Sequence, residues 1–241
     1  MKHFLATLVL TCFVAACGRE APDPQRIVTT DGPVRLEQVW ELEGFKDPES
    51  VTLSQNGDLL YVSNVNGAPL EKDGDGYISR VSLEGEMLDE VWVDGLDAPK
   101  GLVVGADGKL WVNDIDKVRS FHVDTGRPVD EIAIVDAVFL NDVATLPNGG
   151  LVLSDEVQNR LISLKDGVQE VLVDSDQITK PNGLLSGKDA LYVATMSGGV
   201  LLGVAYDDHV MTRLAAGFGE GDGLAQLSDS EFIISHWPGR I

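Results

Sequence analysis

The sequence predicts an all-β chain folded as a β-propeller, and three observations carry that prediction. Beyond residue 34 the chain consists of short apolar runs, among them DLLYVSN, KLWVND, GLVLSD and ALYVAT, separated by turn-forming stretches such as SQNGD, GADGK and LPNGG. A polar anchor precedes the first strand of each group, at Glu49, Lys100, Asn141, Asn182 and Asp222, with successive spacings of 51, 41, 41 and 40 residues. Past the N-terminal apolar run, no stretch keeps a helical apolar period over three turns.

The chain begins MKHFLATLVLTCFVAACGRE, with a cationic start, an apolar run from Phe4 to Val14 and small residues before a cysteine. The run is too short to span a bilayer, so residues 1–16 read as a secretory signal. VAAC resembles a bacterial lipoprotein lipobox, which makes Cys17 the lipidation site; plain cleavage after Ala16 is the alternative. Acyl chains contribute about 0.8 kcal/mol per buried methylene, so such a protein is held at a membrane surface, here facing the periplasm of a bacterial cell envelope. Cys12 and Cys17 are the only cysteines, so the domain itself has no disulfide. Residues 17–33, polar and Pro-containing, form a tether.

Residues 34–241 form the propeller domain. Each anchor opens a small strand, followed by a turn, a stronger strand and two more strands, and four strands in about 41 residues match one propeller blade. Asp114 and Asp155, at the ends of second strands, are also 41 apart. A sandwich gives no reason for five anchors in register. The five anchors imply five blade starts, and the last blade lacks strands after EFIISHWPGRI. The expectation is therefore a six-bladed propeller truncated at its C-terminus by roughly forty to fifty residues. A five-bladed ring closed by VRLEQVWEL is the alternative.

A formal net charge of −21 disfavours nucleic acid and tolerates cationic partners and divalent metals. First strands line a propeller's central channel, so their starts converge at one mouth. Here that ring reads Glu49, Lys100, Asn141 with Asp142, Asn182 and Asp222. Side-chain oxygens on several rigid strands suit a hard cation, which takes oxygen ligands with waters completing the shell. Polar anchors that only cap strands or bond between blades are the competing explanation.

The motifs PES, FLNDV, PNGLL and GDGLA resemble the metal-site motifs of the senescence marker protein/gluconolactonase/luciferin-regenerating enzyme family of six-bladed propellers, over roughly residues 45 to 241. The resemblance implies one divalent cation on Glu49, Asn182 and Asp222, calcium first, with zinc, magnesium or manganese as alternatives. It places Asn141 and Asp142 beside the metal. The implied chemistry is metal-assisted hydrolysis of a lactone or similar small ester, the cation polarising the carbonyl and Asp222 or Asp142 serving as general base toward water. Family sugar lactonases carry an Arg two residues before Asn141, where this chain has Phe139. That departure argues against a sugar lactone.

Lys100 is a cation within the ring, available to an anionic substrate group or as the ring's own positive charge. His236 ends a second strand on the same mouth and joins Asn141 and Lys100 as a candidate substrate contact. No G-x-S-x-G and no Walker motif occurs. EKDGDGYIS resembles the start of an EF-hand, but its twelfth position falls on Ser82 instead of Glu. It reads as an acidic rim loop lengthening blade one. The two functions carried forward are a membrane-tethered, metal-dependent hydrolase of a small-molecule ester and a non-catalytic propeller binding a peptide, protein or small ligand.

Overall fold

The computed structural model describes residues 37–228 and 231–237; the signal segment, Cys17 and the tether lie outside the described residues. Those residues are all β, without a helix. Blade one comprises β1 (Pro48–Leu53), β2 (Leu59–Asn64), β3 (Gly76–Ser82) and β4 (Met87–Leu96). Blade two comprises β5 (Pro99–Val104), β6 (Lys109–Asp114), β7 (Lys117–His122) and β8 (Pro128–Ala133). Blade three comprises β9 (Leu140–Thr145), β10 (Leu151–Asp155), β11 (Arg160–Lys165) and β12 (Val168–Asp174). Blade four comprises β13 (Pro181–Ser186), β14 (Ala190–Thr195), β15 (Val200–Ala205) and β16 (Met211–Ala216). A fifth sheet holds β17 (Gly221–Ser228) and β18 (Glu231–His236).

Every sheet is an antiparallel meander, and the first strands β1, β5, β9, β13 and β17 pack side by side around the axis. This is the ring of blades the repeat predicts, with four full blades and a fifth strand pair.

The two-residue period of the second strands builds the core. Leu110 and Val112 face back toward Tyr61 and Ile78 of blade one, while Trp111 packs with the cluster shared with blade three. Leu151 and Leu153 face back toward blade two, and Val152 forward toward Leu184 and Val193 of blade four. Tyr192 meets Phe232 of the fifth sheet edge-on, with centroids 4.6 Å apart. The backward-facing pair of blade one, Leu60 and Val62, is covered by the segment before β1: Trp40, Leu42 and Phe45 pack there. The Trp40 indole donates to the Leu83 carbonyl at 2.8 Å. Three of the four tryptophans thus pack within or between blades, whereas Trp237 is 57% exposed.

Candidate functional site

A local irregularity aims the anchors into the channel. In each sheet the residue just before the anchor pairs with the last residue of the second strand: Pro48 with Asn64, Pro99 with Asp114, Leu140 with Asp155, Pro181 with Thr195 and Gly221 with His236. Pairing then skips, resuming at Val51, Leu102, Val143, Leu184 and Leu224. Two residues, Glu49-Ser50 in blade one and Asp222-Gly223 in the fifth sheet, thus stand where the partner strand offers one, the geometry of a β-bulge. All five anchors therefore sit on bulges at the same end of the ring.

A second-strand hydroxyl holds three of these bulges. Ser63 accepts the Ser50 N–H at 3.0 Å, Ser154 the Asp142 N–H at 2.8 Å and Ser235 the Gly223 N–H at 2.7 Å. In blade two Asn113 takes that place and donates to the Asp142 carbonyl at 2.8 Å. Glycine after the anchor lets the next blade approach. A Cβ on Gly183 would collide with the Asp222 carbonyl, and one on Gly101 with the Asp142 backbone.

The ring concentrates charge. Desolvation, followed by the Asp222 charge, pushes Glu49 well above the usual carboxylate range, while Lys100 opposes the rise. Glu49 keeps contact with solvent, which limits that rise. Asp222 is raised to about 6 by desolvation and the Glu156 charge, against a hydrogen bond from Asn182. Asp142 reaches about 7 by desolvation, although the Leu184 and Val143 N–H groups favour its charged form. Glu49, Asn182 and Asp222 thus belong to one electrostatic cluster, in which the Asn182 amide favours the charged form of Asp222.

The remaining predicted residues are more committed. The Asp142 Oδ1 accepts the Val143 N–H at 2.8 Å and its Oδ2 the Leu184 N–H at 2.7 Å, so its carboxylate ties blade three to blade four. Lys100 is 2% exposed. Its Nζ donates to the Pro69 carbonyl at 2.9 Å and the Ala98 carbonyl at 3.1 Å, and lies 4.5 Å from the Phe139 ring centroid. Desolvation lowers its pKa, against the pull of Glu49. The buried Asn141 amide donates to Glu156 Oε2 at 3.2 Å. His236 pairs across from Gly221 and so sits beside the Asp222 bulge, its Nδ1 2.8 Å from the Trp237 carbonyl.

Sequence reading missed Glu156. It is 8% exposed, bonds Asn141, and accepts from Lys180 Nζ at 3.3 Å. The available signal was its place directly after the strand-ending Asp155, where the chain enters the mouth. The residues ending second strands hold the inter-blade turns. Asp114 accepts the Asp97 and Ala98 N–H groups, and Asp155 those of Val138, Phe139 and Gln158.

The donor set fits a hard cation. Four carboxyls gather at the mouth with the Lys100 amine and, on Glu156, the Lys180 amine, and three of the carboxyls are raised by desolvation and by neighbouring carboxylates. A divalent ion would relieve that cost. Among the described residues no three His, Cys, Asp or Glu side chains form a ready-made cage. Glu49 and Asp222 would therefore need the Asn182 amide oxygen and water alongside them.

No protein-family model and no curated protein matches the chain. Solved structures do. Virginiamycin B lyase from Staphylococcus aureus aligns at TM-score 0.60 and 15% identity, over 81% of this chain and 68% of that one. A catalytically inactive histidine-to-alanine variant of that lyase with quinupristin aligns at 0.58 and 14%, over 79% and 78%. A chain of a nidogen/laminin complex aligns at 0.66 and 16%, over 80% and 73%. These likenesses show a β-propeller, a class that includes both enzymes and protein-binding modules.

Proposed function

We propose that the axial mouth binds a divalent cation, calcium first, and that the chain is a hydrolase of a lactone or similar small ester. The observation that carries this reading is the delivery of Glu49, Asn182 and Asp222 by bulges to one end of the ring, where the Asp222 charge raises Glu49 and the Asn182 amide lowers Asp222. The motif resemblance to the gluconolactonase-type propellers supports it.

A bound cation supplies Lewis-acid polarisation of the ester carbonyl. The chain's own residues do the rest. Asp222, half-buried with a pKa near 6, accepts the proton of the attacking water. Asp142 has each oxygen bonded to a backbone N–H, and its work is to hold β9 against β13. Asn141, oriented by Glu156, presents its amide to substrate oxygens. His236 borders the same mouth. The lipobox at Cys17 supports the further proposal that the domain is tethered to a membrane, facing the periplasm.

The test is calorimetry and thermal melting of EDTA-treated protein with added calcium, alongside turnover of a lactone panel. Calcium should bind and raise Tm, Asn182→Ala should abolish both effects, and at least one lactone should open only with metal present. Absence of cation binding overturns the reading. Binding without turnover leaves the second reading, a non-catalytic ligand-binding propeller, which the likeness to a chain of a nidogen/laminin complex favours.

A further inference from the structure

The loop joining β2 to β3, residues 65–75, makes blade one longer than the others, and although mostly exposed it is tied to blade two at three points. Val65 at its root is buried with Ala98 and Ile115. Lys72 pairs with Asp116 at 2.6 Å. Between these points Pro69 gives its carbonyl to Lys100, the blade-two anchor. Two carbonyls and the Phe139 ring surround the ammonium, so little of its donor capacity faces the channel. An ammonium is an unusual side chain to bury, and its partners here are neutral groups. Leu70, beside the pinned Pro69, stays 51% exposed.

We propose that Lys100 is a positioning residue that pins the 65–75 loop as a roof over the blade-two side of the axial mouth, so that a ligand enters from the side of blades three to five, past Glu156, Lys180 and His236. The proposal rests on the mouth being a ligand site, but its test requires neither a cation nor an ester.

The experiment is limited proteolysis with a glutamate-specific protease on wild type, Lys100→Met and Lys72→Ala. Cutting after Glu71 in the loop is compared with cutting after Glu84, which lies in the β3–β4 turn of the same blade. Lys100→Met keeps the side chain's length while removing its donors. It should raise cutting after Glu71 at least tenfold with Glu84 unchanged, and Lys72→Ala, on the surface, should give a smaller rise. In parallel, the thiol of an Asn141→Cys variant should react faster with a bulky neutral maleimide once Lys100→Met is added. An unchanged Glu71 rate in Lys100→Met overturns the proposal, whatever Lys72→Ala does. So does a parallel rise at Glu84, which would mean that Lys100 only stabilises the blade. Failure of calcium binding or lactone turnover would leave these rates untouched.

Discussion

The Asp142 carboxylate, carried on the third blade, accepts the Leu184 backbone N–H of the fourth at 2.7 Å. With its second oxygen it accepts the Val143 N–H at 2.8 Å. Asp142→Ala would strand two buried donors, which costs on the order of 2–4 kcal/mol. Asp142→Asn keeps one acceptor and should cost less than half as much. Urea denaturation followed by tryptophan fluorescence separates the two; equal losses would mean that the carboxylate only fills space.

Acid should stabilise the metal-free domain over a defined window. Asp142 and Asp222 have folded-state pKa values of about 7 and about 6, above the roughly 3.9 of an unfolded Asp. The folded state therefore binds protons more tightly at these positions. The charge penalty is complete above pH 7 and is relieved as pH falls toward 4. In EDTA, Tm should rise between pH 8 and pH 5.5, and Asp142→Asn should flatten the upper part of that rise.

Cation binding should show the opposite dependence. Protons compete for Asp222, so apparent calcium affinity should fall as pH drops through about 6, approaching tenfold per pH unit for one displaced proton. Calorimetry at pH 5, 6 and 7.5 measures this, and a pH-independent affinity would place the ion elsewhere.

Asp155 is fully buried and accepts three backbone N–H groups of the turn entering blade three and of its own hairpin, at 3.2 to 3.3 Å, with Arg160 at 3.3 Å. Asp155→Ala leaves those donors and the guanidinium without their acceptor, an expected loss of about 3–5 kcal/mol. Asp155→Asn should recover part of it. Chemical denaturation reads both variants.

Gly183→Ala places a methyl group against the Asp222 carbonyl, a backbone atom that cannot swing aside. Overpacking of this kind costs about 1–3 kcal/mol, and here it also moves a proposed ligand. The variant should lose calcium-dependent stabilisation in a melting assay while still folding as β by circular dichroism.

The blades were legible because each repeats a local pattern of anchor, turn and apolar alternation that needs no long-range information. The spacing from Asn141 to Asn182 and from Asp114 to Asp155 was enough to register them. What those side chains do was less legible. Asn141 and Asp142 are adjacent in sequence, yet one bonds Glu156 at the mouth and the other bridges to β13. Strand alternation sends neighbours to different faces, but nothing in the sequence says which partner each face meets. Lys100 read as a free cation because its partners are backbone carbonyls, which have no signature in side-chain chemistry. Ser63, Ser154 and Ser235 escaped notice because serine is common in strands, and only its recurrence one position before the strand end marks it.

The bulges also bear on how such a ring can change over evolutionary time. Because the ladder skips past each anchor, the five channel positions carry Glu, Lys, Asn, Asn and Asp on one shared backbone geometry. The blade's own pairing resumes two residues past the anchor whichever side chain is present. Blade architecture and channel chemistry are thereby separately heritable. A lineage of this fold can rewrite its axial residues one blade at a time, and a laboratory can do the same, without renegotiating the sheet that carries them.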